Sequence, residues 1–317
     1  MKIVFLDVST IGHVKNLDKL KELGDLVLYP VTPDSMRIKR LNEARVAITN
    51  KVIIDKQVID SCPELKLICV AATGTNNIDI EYAHQKGIIV KNVAGYSTDS
   101  VAQSVFAILL FLMNKLKYYD NYVKSGAYCR SNIFTHHGQP FTELKNKRFG
   151  IIGLGTIGKR VAGIAKVFGC EVVYHSTSGK NTQNDNYKHL DLDELLKTSD
   201  IVSIHCPLNE HTRNLIDYTR LLLMKPAAYL LNAGRGGIVI EEDLARAIDE
   251  EIIAGAGIDV LVNEPIKSDN PLLILKRSEN LIITPHIAWA SVESRNRLLY
   301  QIYSNIKEFV EQTIKEC

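Results

Sequence analysis

The run GIIGLGTIG at 150–158 constrains the fold more than any other part of the sequence. An apolar segment leads into it, and a segment with helical spacing follows it. In that order Gly153 permits a tight turn, Gly155 lets the backbone approach a pyrophosphate, and Gly158 lets the helix pack on the strand. The pattern predicts a strand–turn–helix unit that binds a dinucleotide, although a tight turn without a ligand can use the same glycines.

Strand-like and helix-like segments alternate on both sides of this unit, which predicts parallel sheets covered by helices. A chain of 317 residues is too long for one ordinary core and suggests two domains. One apolar helix is expected at 97–126, covered by the other domain or by a second subunit, and an amphipathic helix is expected from Ser291. The predicted strands lie at 2–7, 25–30, 46–50, 65–74 and 88–93, and then at 149–152, 171–175, 201–207, 228–234, 254–260 and 280–286.

Composition excludes several classes of protein. Hydrophobic residues make up 46% of the chain, and interleaved charges sum to only +2, so neither nucleic acid nor a membrane surface is an expected partner. Asp7 interrupts the apolar N-terminus, which argues against a signal peptide, and the apolar run at 105–113 is too short to span a bilayer. The six cysteines lack metal-site spacing, so we expect no metal, and we expect free thiols in the cytoplasm.

Three later segments follow predicted strands, at the sheet edge where such folds bind ligands. They carry Arg235, Glu264 and His286, which singly could be a surface cation, a turn residue and a loop histidine. Hydride transfer to a 2-oxo acid needs a group to hold the carboxylate and polarise the carbonyl, which suits Arg235. It also needs a proton donor, which suits His286, and Glu264 nearby would favour the protonated imidazole. Together the three predict a dehydrogenase site.

At this point the sequence resembles the D-isomer-specific 2-hydroxyacid dehydrogenases over nearly its whole length. Their catalytic Arg, Glu and His correspond to Arg235, Glu264 and His286. The resemblance implies a Rossmann-type cofactor domain, 99–286, inserted into a flavodoxin-like substrate domain formed by 1–98 and 287–317. It also implies a homodimer built on the helix at 97–126. The supporting runs are AATGTNNID, NVAGYSTDSVAQ, LKNKRFGIIGLGTIG, SDIVSIHCPLNEHTRNLI, LNAGRGGIVIEEDLARAI, AGAGIDVLVNEP and LIITPHIAWAS.

The resemblance also implies further site residues. Asp259 should hold the nicotinamide carboxamide. Trp289, in HIAWAS, resembles the hydroxypyruvate reductase (glycerate dehydrogenase) branch, where it would either wall a small pocket or only pack at the hinge. The expected substrate contacts are Asn50, Lys51, Thr73, Gly74, Arg235, His286 and Trp289. The expected cofactor contacts are Gly153, Gly155, Thr156, Ile157, Gly158, His175, Ser176, Thr177, Cys206, Pro207, Thr212, Ala233 and Asp259.

The segment YHSTSGKN at 174–181 departs from the usual NAD pattern. An Asp or Glu that binds the ribose hydroxyls is expected at the end of this strand, but His175 stands there. Ser176 and Thr177 can donate to a hydroxyl or to a phosphate, and Lys180 could neutralise a phosphate. No Arg lies in the loop to grip a 2′-phosphate. The sequence therefore allows NAD(H) or NADP(H), with a slight preference for NAD(H) from the bulk of the family.

Three functions compete. The first is NAD(P)-dependent reduction of hydroxypyruvate or glyoxylate, a small 2-oxo acid, to the D-hydroxy acid. The second is a dinucleotide-sensing binding protein, because the C-terminal-binding-protein corepressors share this fold and keep the catalytic trio; such a scaffold would be expected to carry extensions, and none is evident. The third is a formate or phosphite dehydrogenase. The formate enzymes of this fold replace the Glu, so Glu264 argues against that chemistry.

Overall fold

The computed structural model describes residues 1–184 and 186–316, and the chain divides into two compact units. The first, here the discontinuous unit, consists of Met1–Ser97 and the segment from Trp289 onwards. The second, the continuous unit, is Thr98–Ala288. The functions predicted for the two domains, substrate binding and cofactor binding, stay predictions at this stage.

The discontinuous unit contains a parallel sheet of five strands within the described residues, in the order β2-β1-β3-β4-β5. This is the flavodoxin-like order, so the predicted architecture is confirmed. The order reverses between β1 and β3, and loops that follow two such strands form the usual ligand-binding crevice. The elements are β1 Lys2–Phe5, β2 Asp25–Leu28, α1 Arg37–Leu41, β3 Val46–Thr49, α2 Lys56–Ser61, β4 Leu67–Val70, α3 Ile80–Gln85, β5 Ile89–Lys91 and α10 Val292–Glu316.

Hydrophobic side chains cover both faces of this sheet, since its central strands are buried on each side. On one face α10 contributes a stripe of Leu298, Ile302, Ile306 and Phe309, whose spacing places them on one side of a helix. The segment Leu17–Leu23 of this unit is a 3-10 helix.

The continuous unit contains a parallel sheet of seven strands within the described residues, in the order β12-β11-β10-β9-β6-β7-β8. Counted along the chain from β6, this is the Rossmann order 3-2-1-4-5-6 with one strand added. The prediction of six strands missed β8, which has two residues and too short a pattern to recognise. The elements are α4 Thr98–Met113, α5 Leu116–Lys124, β6 Arg148–Ile152, α6 Thr156–Val167, β7 Glu171–His175, β8 Lys188–His189, α7 Leu192–Thr198, β9 Ile201–Ile204, α8 Tyr218–Leu221, β10 Tyr229–Asn232, α9 Glu241–Asp249, β11 Gly255–Ile258 and β12 Leu281–Ile283.

The single helix predicted at 97–126 is wrong, because the segment forms two helices, α4 and α5, bent by 60°. Lys115 lies at the break with φ of 52°, a left-handed conformation that ends an α-helix. The two parts also differ in burial. Half of α4 is buried, whereas every described residue of α5 keeps some exposure. Among the described helices, none alone is long and apolar enough to cross a membrane, and only this bent pair reaches that length and composition together.

Candidate active site

The glycine turn after β6 has the geometry that its sequence predicts. Gly153 has a φ of +94°, and a Cβ there would come within 2.7 Å of the backbone nitrogen of Cys206. A Cβ on Gly158 would come within 2.3 Å of the Gly153 carbonyl oxygen. These two glycines are therefore required by the packing of the turn against β9 and against α6.

Gly155 differs from its two neighbours, and this difference tests whether a dinucleotide fits. No described atom lies within 4 Å of the position of a Cβ on Gly155, apart from its chain neighbours. Its φ of -80° is open to any residue, so neither packing nor backbone geometry requires glycine there. Gly155 is also the N-cap of the twelve-residue α6, where N–H groups are left over. The open space and the free donors fit a pyrophosphate that approaches the backbone.

The end of β7 carries a histidine where an acid is usual. His175 is half-buried, and its Nδ1 lies 3.1 Å from the carbonyl oxygen of Leu190. Burial lowers the pKa of His175, an effect that the bond to Leu190 partly offsets. The Ser176 hydroxyl accepts the backbone N–H of Asn181 at 3.3 Å, so the loop folds back on itself. The end of β7 therefore has no carboxylate that would repel a 2′-phosphate or accept a 2′-hydroxyl.

The loop after β9 is shaped by the hydroxyl of Thr212. It donates to the Pro207 carbonyl oxygen at 2.7 Å and accepts the Asn209 N–H at 2.8 Å. Thr212 is fully buried, so its hydroxyl holds the loop closed. Burial raises the pKa of the Cys206 thiol to about 12, which makes it an inert lining residue.

The loop after β10 presents Arg235. The buried amide of Asn232 donates to the Arg235 carbonyl oxygen at 3.0 Å and accepts the Gly234 N–H at 3.1 Å. These two hydrogen bonds fix the loop that starts with Ala233. Arg235 donates to the Gly234 carbonyl oxygen at 2.8 Å, and no salt bridge joins it to any carboxylate in the described part of the chain. Its positive charge is thus available to an anionic ligand.

Glu264 and His286 form an acid–base pair in the continuous unit. His286 Nδ1 lies 2.6 Å from Glu264 Oε2, and Glu264 Oε1 accepts the Leu261 N–H at 3.0 Å. The His286 side chain is 24% exposed and the Glu264 side chain 31% exposed, so solvent or a ligand can reach both. A carboxylate on Nδ1 fixes the ring and leaves Nε2 as the atom that can exchange a proton with a ligand.

Asp259, directly after β11, organises the turn that contains His286. Its buried carboxylate accepts the Thr284 hydroxyl at 2.6 Å and the N–H groups of Ile287 and Ala288 at 2.9 and 3.0 Å. Burial raises the pKa of Asp259, and these donors and the nearby His286 oppose that rise. The carboxylate that was expected to face the cofactor is thus already bonded to the His286 turn.

A second buried carboxylate, Asp7, lies in the discontinuous unit, where the strand order reverses. It accepts the backbone N–H groups of Asn50, Lys51 and Val52 at 2.6 to 3.2 Å. The Asn50 side chain is also buried, and its amide donates to the Thr10 hydroxyl at 3.1 Å. Lys51 is exposed, so it is the side chain that this loop offers to a ligand.

The other predicted substrate residues of this unit lie after β4 and before α10. Thr73 donates to the Val93 carbonyl oxygen at 3.0 Å, which fixes the turn that contains Gly74. Trp289 is partly buried against the core of the unit, and its ring meets that of Tyr96 edge-on at 6.1 Å between centroids. Both predicted roles of Trp289, in the wall of the pocket or in packing at the hinge, stay predictions.

Sequence reasoning missed three residues that hold these loops: Asp7, Asn232 and Thr284. Asp7 and Thr284 come within two residues after β1 and β12, and Asn232 is the last residue of β10, so each is a small polar residue at the carboxyl end of a strand. That position is a usable signal, because the carboxyl ends of parallel strands leave backbone N–H groups that buried side chains must satisfy. Which N–H groups each one satisfies is decided by contacts distant in sequence.

The chain matches the family model described as D-isomer specific 2-hydroxyacid dehydrogenase, NAD binding domain, over residues 106–288. It is 37% identical over 320 residues to a hydroxypyruvate reductase from Blautia hydrogenotrophica, a match that covers 98% of this chain and 97% of that protein. The sequence-based resemblance is thereby confirmed.

Solved structures agree with this result. An acyclic imino acid reductase in complex with NADPH and D-Arg superposes with a TM-score of 0.86 at 31% identity, covering 98% of both chains. A D-lactate dehydrogenase from Aquifex aeolicus, complexed with NAD and lactic acid, gives a TM-score of 0.83 at 28% identity. That match covers 99% of this chain and 96% of the other.

The open space at Gly155 leads to a binding prediction. Gly155→Ala should leave the melting temperature of the free protein almost unchanged, because the methyl group meets no described protein atom. It should raise the dissociation constant of reduced dinucleotide about tenfold, since the methyl group occupies the approach to the pyrophosphate. Fluorescence titration of the bound nicotinamide measures this constant.

Gly163→Ala is the matched control. Gly163 lies in the same helix, and a Cβ there also has no described atom within 4 Å. This change should stabilise the protein by about 0.5–1 kcal/mol and leave the dissociation constant unchanged. Equal affinity in the two variants would contradict a pyrophosphate at Gly155.

Proposed function

The chain belongs to the D-isomer-specific 2-hydroxyacid dehydrogenases, and from this premise we propose that it reduces hydroxypyruvate or glyoxylate to the D-2-hydroxy acid. It is an NAD(P)-dependent oxidoreductase of the Rossmann type. The observation that carries the proposal is the 2.6 Å contact between His286 and Glu264, in the same unit as the glycine turn. The name of the Blautia relative supports hydroxypyruvate as a substrate.

The chemistry is divided among three side chains. Arg235, which has no carboxylate partner among the described residues, binds the substrate carboxylate and polarises the adjacent carbonyl. His286 gives a proton from Nε2 to the carbonyl oxygen, and Glu264 orients the ring through Nδ1. When bound, the reduced nicotinamide supplies the hydride that reaches the carbonyl carbon. In the opposite direction His286 takes the proton from the hydroxyl group.

The cofactor residues divide into those with donors and those that shape the site. Thr156 and Ile157 offer N–H groups at the start of α6 beside Gly155. Ser176 and Thr177, next to His175, can bind a ribose hydroxyl or a phosphate. The nicotinamide end of the site is proposed to be lined by Cys206, Pro207, Thr212, Ala233 and Asp259. Both NAD(H) and NADP(H) fit such a site, and the solved relatives contain one or the other.

The substrate residues of the discontinuous unit are proposed on their position. Asn50 and Lys51 follow β3, where the strand order reverses, and Thr73 and Gly74 follow β4. Lys51 is the exposed cation, whereas Asn50 is buried and holds the loop. Trp289 is proposed as a residue that restricts the substrate to small acids.

We further propose a homodimer formed through the continuous unit. Exposed apolar side chains cluster in and after α5, among them Phe134, which is 90% exposed. This concentration of exposed apolar side chains in one stretch of the chain favours a second copy as its cover. Sedimentation should then give twice the chain mass of 35.5 kDa. The buried, unpaired thiols of Cys62, Cys69 and Cys170 support a reducing compartment, and we propose the cytoplasm.

The deciding experiment follows the absorbance of reduced nicotinamide. Purified protein is mixed with hydroxypyruvate, glyoxylate or pyruvate, each with NADH and with NADPH. We expect rapid oxidation of the reduced cofactor with hydroxypyruvate or glyoxylate. The ratio of the rates with NADPH and NADH shows whether the loop at His175 accepts a 2′-phosphate. If no pair is oxidised although the dinucleotide binds tightly, the protein is a dinucleotide sensor and the proposal is wrong.

The roles of the acid and the anion-binding group predict two separate losses. His286→Ala and Arg235→Ala should each lower kcat/KM at least about a hundredfold, because each removes an interaction with the reacting carbonyl. Cofactor affinity, measured by fluorescence titration, should stay within about twofold of the original. Full activity in His286→Ala would show that another group donates the proton.

Glu264→Gln should change the pH dependence. Removing the negative charge disfavours the protonated imidazole, and reduction needs that protonated form. The alkaline limb of kcat/KM for reduction should therefore move down by about one pH unit or more. For oxidation of the hydroxy acid, which needs the neutral ring, the acid limb should move to lower pH as well, so that the full rate is reached at lower pH. Unchanged profiles in both directions would refute the role given to Glu264.

A further inference from the structure

We propose that Thr284 is a positioning residue for His286, acting through a hydroxyl bond to the buried Asp259 carboxylate. The proposal rests on the function proposed above, because it assigns to Thr284 a part in presenting the proton donor. Thr284 does not touch His286 through its side chain. Its role is to hold the backbone turn from which the imidazole projects.

The first supporting observation is the backbone of His286. Its φ is 53°, in the left-handed region that side-chain-bearing residues rarely adopt. Such a conformation persists only where surrounding contacts determine it, and it is found preferentially at functional sites. The direction of the imidazole depends on this torsion, so whatever fixes the turn also fixes the proton donor.

The second observation is how Asp259 encloses the turn. Its carboxylate accepts the Thr284 hydroxyl, two residues before His286, at 2.6 Å. It also accepts the N–H groups of Ile287 and Ala288, just after His286. In addition the His286 N–H donates to the Asp259 carbonyl oxygen at 2.9 Å. One aspartate therefore forms hydrogen bonds to the turn on both sides of the histidine.

Thr284 is the part of this arrangement that can be removed without removing the charge. Among the described residues it supplies the one side-chain hydroxyl bonded to Asp259, and the other two donors are backbone groups. Without it the carboxylate holds only the later half of the turn. The strand side of the turn that carries His286 is then held by backbone bonds alone, and the 2.6 Å contact of His286 Nδ1 with Glu264 is less firmly set.

The test compares Thr284→Val, which keeps the shape and removes the hydroxyl, with Thr284→Ser, which restores it. Thr219→Val is the matched control, because the Thr219 hydroxyl also donates to a carboxylate, that of Asp217, at 2.7 Å on the first turn of α8. For each protein we would measure kcat, KM, the fluorescence affinity for reduced dinucleotide and the melting temperature. The kinetic isotope effect with cofactor deuterated at the transferred hydrogen is measured as well.

We expect Thr284→Val to lower kcat about tenfold, with affinity for the dinucleotide and KM within about twofold of the original. The isotope effect should rise, because the misplaced acid slows the chemical step. Thr284→Ser should recover most of kcat, and Thr219→Val should keep it. Loss of kcat in Thr284→Val and Thr284→Ser alike, or retention of kcat in both, would overturn the proposal.

A readout without turnover separates this proposal from the proposed function. The imidazole Cε1–H signal of His286 is assigned by its disappearance in His286→Gln and compared at one fixed pH. Thr284→Val should shift or broaden it, whereas Thr284→Ser and Thr219→Val should not. If the unmodified protein reduces no 2-oxo acid, the proposed function fails while this signal still tests the positioning. An unchanged signal in Thr284→Val overturns the positioning role itself.

Discussion

Every paired strand in both sheets runs parallel to its neighbours, and the positions of the chemically active side chains depend on that alignment. Parallel strands place their carboxyl ends on one edge, so loops that are far apart in sequence come together there. The glycine turn follows β6, Arg235 follows β10, and His286 follows β12. Residues separated by more than a hundred positions in sequence therefore belong to one sheet edge.

Two buried aspartates bind backbone N–H groups that the same parallel alignment leaves without partners in the sheet. Loops leaving the strand ends carry backbone N–H groups without ladder partners, and these must be satisfied inside the protein. Asp7 accepts N–H groups of the loop that contains Lys51, and Asp259 accepts N–H groups of the turn that contains His286. Each carboxylate is almost fully buried and remains there because several donors surround it. In both units a buried carboxylate thus fixes a loop that carries a predicted site residue.

Much of the fold could be predicted because its signals are local. The strands are short apolar runs separated by helices, and the glycine spacing at 150–158 marks the dinucleotide turn. The errors occurred where local patterns are weak or misleading. The strand β8 has two residues, and the apolar run that suggested one long helix is broken at Lys115 by a left-handed residue without any Gly or Pro. Hydrophobic periodicity continues across such a break, so only backbone geometry shows it.

The sequence by itself determined the architecture, the family, the glycine turn and the identity of Arg235, Glu264 and His286, since residue type and spacing suffice for these. It also located the departure from the usual acid at His175, although not the burial that lowers the pKa of that ring. The tertiary structure decided how the residues are held. It bonded His286 to Glu264, engaged Asp259 with the 284–288 turn and buried Asn50 while leaving Lys51 exposed. Those outcomes depend on contacts between strand ends that lie far apart in sequence, which no local pattern encodes.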